Sequence, residues 1–136
     1  MTDVGICRTT IEIAALDRPA AGRILTGVMV DTGSEYNWAP AELLADLGIV
    51  PTRVERFESA DGRILERPIG FAMVTAGGRT SPTIFAFAEP GDMTLLGAHG
   101  LEGLNLRVDL VRGELTPAGP VPVATGQTCG FQVLAA

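Results

Sequence analysis

The chain has 136 residues, 46% of them hydrophobic and 19% charged, with a formal net charge of −6. That length suits one domain spanning residues 1–136, and that apolar content excludes a disordered chain. All ten basic residues are Arg in an acidic chain, which argues against nucleic acid or an anionic membrane as partner.

His99 is the one histidine, and Cys7 and Cys129 are the two cysteines. Cys₄ and Cys₂His₂ zinc sites within one chain are therefore excluded, as is a disulfide framework. No metal and no cofactor are expected. No apolar stretch near the start is long enough for a signal-peptide core, so the expected location is cytoplasmic, with both cysteines reduced.

The elements read as mostly β. Cys7–Ala14 alternates as a half-buried strand. A turn over Leu16–Gly22 follows. Arg23–Val30 is nearly all apolar, as expected of a central strand buried on both faces. It runs into Asp31-Thr32-Gly33-Ser34. A short helix is expected next, with Pro40 in its first turn, Leu43, Leu44 and Leu47 as its apolar stripe, and Gly48 as its cap. Asp61-Gly62 between Phe57–Ala60 and Arg63–Glu66 predicts a hairpin. Gly77-Gly78 predicts a second one, with Pro82 forcing its strand to an edge or a bulge. Met93–Leu96 runs apolar into Gly97, a weak helix covers Gly100–Leu104, and Leu106–Val111 alternates. In the Pro- and Gly-rich tail, Val121, Val123, Phe131 and Val133 are possible strand residues. The two halves share a loose symmetry, in that each runs apolar strand, glycine turn, short helix.

Asp31 is the residue that carries chemistry. It ends an apolar strand, and Thr32, Gly33 and Ser34 supply hydroxyl and backbone donors to it. The stretch Val28-Met-Val-Asp31-Thr-Gly-Ser34 resembles the active-site motif of aspartic proteases. Met93-Thr-Leu-Leu-Gly97 resembles the second, apolar-apolar-Gly motif of the single-domain, retroviral-type (retropepsin-like) members. The helix after the first motif resembles the bacterial and ubiquitin-receptor branches of that family. The resemblance spans about Ile6 to Leu110.

The resemblance implies a retropepsin-like closed β-barrel with one or two short helices, acting as a homodimer on a peptide or protein substrate. Two Asp31 carboxylates, one per subunit, would share a proton and activate the water that attacks a peptide carbonyl. Thr32 would grip its symmetry mate and Gly33 would bind substrate backbone. Ser34 would hydrogen-bond Asp31. The hairpin tip Ala60, Asp61 and Gly62 would form a flap, and Leu96 would contact substrate with it. Glu35 stands where the viral enzymes carry a substrate-backbone acceptor, or it is solvated. Tyr36 and Trp38 are core or pocket, His99 is a partnered structural residue, and Asp109 lies on the surface. The rival readings are a catalytically silent dimeric peptide-binding module with the same fold, and an unrelated small barrel with a chance motif.

Overall fold

The computed structural model describes residues 6–125. Cys129, Phe131 and Val133 lie outside the described residues. The elements are β1 (Cys7–Ala14), β2 (Arg23–Val30), β3 (Asn37–Pro40), α1 (Ala41–Asp46), β4 (Arg53–Glu58), β5 (Ile64–Ala76), β6 (Arg79–Ala88), β7 (Leu95–Leu96), α2 (Ala98–Leu104), β8 (Leu106–Asp109) and β9 (Glu114–Pro117).

Seven strands pair in the order β1-β2-β7-β3-β6-β5-β4, and β1 also pairs with β5 through Glu12↔Thr75 to Ala14↔Met73. The pairings thus return from β5 to β1, and among the described residues β4 hangs on β5 alone. β8 and β9 form a separate antiparallel pair. Alternation along β1 sends Cys7, Ile11 and Ile13 into one core with Val74, Phe85, Leu96 and Leu104. Burial of the Cys7 thiol pushes its pKa up, and the Glu114 carboxylate adds to the shift.

The doubly covered strand is β6, not β2. Thr83–Ala88 is buried throughout. This stretch lies between β5, which reaches Ala86, and β3, which begins its pairing at Phe85. β2 is buried only at Val28 and Val30, and Ile24 is 66% exposed. The reason is its neighbours, since β7 reaches β2 only at Met29 and Val30. Pro82 does not force its strand to an edge or a bulge: β6 lies between β5 and β3, and its register with β5 runs unbroken through Met73↔Pro82, while β3 begins its pairing only at Phe85, beyond the proline.

The turns follow their chemistry. Gly77 (φ 57°) and Gly78 (φ 76°) are both left-handed, which matches the right-handed twist of the strands they join. Pro40 precedes α1, and Gly48 (φ 81°) lies just past its end. The strand expected to reach Val111 stops at Asp109. There the Asp109 carboxylate accepts the Val111 and Arg112 N–H groups at 3.0 and 3.2 Å and turns the chain. Val121 and Val123 are exposed and in no strand; among the described residues of the tail, the strand is β9. Among the described residues no helix is long and apolar enough to cross a membrane.

Candidate active site

Two turns meet back to back. β2 and β7 run parallel, with Val30 beside Leu96. Asp31 follows Val30, and its N–H donates to the Leu96 carbonyl at 2.9 Å. The Ala98 and His99 N–H groups donate in return to the Ser34 and Glu35 carbonyls at 2.8 and 3.0 Å. These are the first N–H groups of α2, which a helix cannot satisfy internally. The Asp31 turn therefore caps α2, while β7 braces the start of the turn. Gly97 is required at the crossing. A Cβ there would lie 2.3 Å from the Tyr36 carbonyl oxygen and 2.6 Å from that of Ser34.

Asn37 locks this arrangement from inside the core, where it is fully buried. Its amide nitrogen donates to Thr83 Oγ1 and the Ile84 carbonyl, both at 2.9 Å, and its Oδ1 accepts from Gly97 N–H at 2.8 Å. One side chain thus ties β3, β6 and the second turn together. Sequence reasoning missed Asn37. The signal was a lone amide flanked by Tyr36, Trp38 and Ala39, where a polar group needs partners if buried.

Asp31 itself is half-buried, and its Oδ1 accepts the Gly33 N–H at 2.9 Å. The Ser34 hydroxyl was expected on Asp31. It donates instead to the Tyr36 carbonyl at 2.8 Å, because the chain folds back at this turn and brings its own backbone within reach. Asp31 faces an open groove of about 1070 Å³ under the β4–β5 hairpin. Gly33, Ser34, Glu35 and Ala60 of the expected site also line it, as do Tyr36, Trp38, Phe57, Leu95 and His99. Asp61 and Gly62 sit at the exposed hairpin tip, and Thr32 is exposed; none of the three forms the groove wall.

Leu96 does not reach the groove either. It is fully buried in the main core, and Leu95 lines the groove in its place. Neighbouring strand residues point to opposite faces, so the expectation was off by one residue. Tyr36 and Trp38 do both things proposed for them. They line the groove and also pack on Phe57, with ring centroids 5.6 and 4.8 Å apart. His99 is half exposed, edge-on to Tyr36 at 5.3 Å and 3.8 Å from the Glu35 carboxylate. Asp109 is partly exposed, and its carboxylate holds the β8–β9 turn.

A second aspartate lining the groove, Asp92, is already committed. Arg67 grips it two-pronged at 2.7 and 3.1 Å, and the two side chains are only 11% and 17% exposed. The Arg67 guanidinium holds the Asp92 carboxyl below the usual carboxylate range, and the Glu89 N–H bond adds to this. Among the described residues, no group of three or more His, Cys, Asp or Glu side chains is placed to hold a metal ion.

No family model and no curated protein matches this sequence. Among solved structures, the solution structure of the simian foamy virus (mac) protease is similar at a TM-score of 0.50. The match has 18% sequence identity and covers 70% of this chain and 91% of that one. The mostly β fold described above is therefore retropepsin-like.

Proposed function

We propose that the protein is an aspartic endopeptidase that hydrolyses peptide bonds as a homodimer. The observation that carries this reading is Asp31. It stands half-buried at the end of β2, its turn is braced by the Leu-Leu-Gly turn, and it faces a groove roofed by a hairpin. That is the arrangement one half of a carboxylate dyad needs. The chain supplies one such carboxylate, so the second comes from a partner subunit across a two-fold axis. The returning strand pairings serve as the closed barrel that holds each half rigid. Helix α1, after the Asp31 motif, favours the bacterial and ubiquitin-receptor-like branch.

The surface near Asp31 suits a second copy. Cys7 pairs with Val30, which brings Ile6 alongside Asp31, and the Ile6 carbonyl lies beside Gly113 of the β8–β9 turn. Ile6, Leu110 and Val111 are 40%, 60% and 97% exposed on that side. Their apolar surface is what association would remove from water.

In the mechanism, the two Asp31 carboxylates hold one proton between them. The ionised one draws a proton from a water, and the protonated one donates to the carbonyl oxygen under attack. The Gly33 N–H keeps the Asp31 carboxylate in place. An extended peptide lies along the groove, with apolar side chains on Tyr36, Trp38 and Leu95, beneath the hairpin that excludes water.

The test is cleavage of a mixed peptide library from pH 4 to 7.5, with sedimentation of the same samples. Wild type should cleave as a dimer. Asp31→Asn should remain a dimer and lose at least about a thousandfold in rate. A folded dimer with no cleavage would leave the silent peptide-binding module. A monomer at about 100 µM with no cleavage would overturn the proposal.

A further inference from the structure

Residues 53–68 form a ribbon of two strands. β5 pairs with β6 only from Ile69 onward, and among the described residues β4 has no strand neighbour but β5. Between Arg53 and Pro68 the ribbon therefore stands outside the main sheet. A two-stranded ribbon is marginal in water by itself, so contacts with the body must fix its position.

Two contacts stand out. At the foot, Arg67 holds Asp92 through two directional bonds, with both side chains largely buried. Further out, Phe57 packs edge-on against Tyr36, with the ring planes at 84°, and tilted on Trp38 at 60°. Beyond Phe57 the bonds at the tip are internal. The Ser59 N–H donates to the Arg63 carbonyl at 2.8 Å, and Asp61 accepts from the Ser59 hydroxyl and the Arg63 N–H. Phe57 is opposite Leu65 and Glu55 is opposite Arg67, so foot and aromatic contact lie one strand repeat apart on the same ribbon.

We propose that Phe57 is the latch of the groove, a positioning residue whose contact with Tyr36 and Trp38 sets whether the ribbon lies down over Asp31. The two attachments differ in kind. A mostly buried, two-pronged ion pair loses directional bonds and strands charges when it breaks. A half-buried aromatic contact has no such geometry to lose and re-forms readily. The foot therefore stays and Phe57 lets go. Residues 57–65 swing as one piece, hinged beside Arg67. Because Tyr36 and Trp38 are also the groove floor, release of Phe57 uncovers the surface on which an apolar substrate side chain would rest. That consequence for substrate rests on the peptidase reading; the latch itself does not.

The test needs no turnover. Trp38 is the chain's one tryptophan and touches Phe57 directly, so its fluorescence reports the latch. Amide hydrogen exchange over residues 58–64 reports the ribbon. Phe57→Ala should speed that exchange roughly ten- to a hundredfold and increase acrylamide quenching of Trp38. Exchange in β1 and β6 should stay as in wild type. Phe57→Leu, which keeps apolar contact without the ring, should fall between the two. Ribbon exchange in Phe57→Ala equal to wild type would overturn the latch. So would an acceleration shared equally by β1 and β6, since that reports loss of the whole fold. Absence of cleavage by wild type would sink the peptidase and leave this result standing.

Discussion

The turn that carries Asp31 and the ribbon that arches over it face each other across one groove, yet they are held by different kinds of contact. The turn is fixed by backbone. Leu96 accepts from Asp31, the start of α2 donates to Ser34 and Glu35, and Gly97 lets the two turns touch. The ribbon is fixed by side chains, namely Phe57 on two aromatics and Arg67 on Asp92. Backbone bonds leave little slack, which suits the role that the peptidase proposal gives Asp31. Side-chain contacts on a two-stranded ribbon can be exchanged, which suits a lid.

That contrast breaks most sharply at Gly97. Its φ of −101° is open to any residue; what excludes a side chain is the space. In Gly97→Ala the new methyl would overlap the carbonyl oxygens of Tyr36 and Ser34, and neither can yield without moving the Asp31 turn. The expected loss is about 4 kcal/mol or more, at the upper end for single substitutions. Urea unfolding measures it. A loss near zero would mean that the two turns are not in contact.

Asn37→Leu tests the same cradle from the core side. The shape is nearly kept, but Gly97 N–H, Thr83 Oγ1 and the Ile84 carbonyl lose a shared partner. Each buried polar group left unmade costs about 1–3 kcal/mol, and neighbours relax in part, so about 3 kcal/mol is expected in total. Ribbon exchange, scaled to the new global stability, should be unchanged. A change confined to the ribbon would mean that cradle and lid are one unit rather than two.

Where the sequence was legible, the reason is local chemistry. Asp61-Gly62, Gly77-Gly78 and Gly48 mark their turns because a positive φ is a property of the residue itself. β1 was readable from its alternation. The Asp31 motif was readable because it sits at the end of an apolar strand. What escaped depends on neighbours distant in sequence. Whether β2 or β6 is the covered strand is decided by which strands flank it, and an apolar run cannot report that. Leu95 and Leu96 exchange roles with a one-residue change of register, invisible in a two-residue strand. β3 was missed because its partners, β6 and β7, come more than 40 residues later. Asn37, Phe57 and the Arg67–Asp92 pair are tertiary contacts, each joining residues that the chain order keeps apart.

The smallest of these effects sharpens the comparison most, because it carries a pH signature. Asp92 is held below its ordinary value of 3.8 chiefly by the Arg67 hydrogen bonds. A carboxylate depressed in the folded state binds protons more weakly there than in the unfolded chain. Its contribution to stability is therefore fully present above about pH 4 and drains away as the pH falls through the lower folded value. Asp92→Asn lacks that contribution at every pH, while Glu89, 3.3 Å from Arg67, keeps part of the guanidinium's charge compensated. The expected cost is about 2 kcal/mol at pH 6, shrinking below pH 4. Unfolding of wild type and Asp92→Asn in parallel from about pH 2.5 to 6, a range that spans the ordinary carboxylate value, measures it. A difference that vanished already at pH 5 would show that the pair does not lower Asp92. The sign matters for the groove. The peptidase proposed above would work on the acid side of neutrality, and a foot that held only at neutral pH would release the ribbon there. Because Arg67 lowers the Asp92 carboxyl, the ion pair at the foot of the ribbon outlasts an ordinary carboxylate contact as the pH falls.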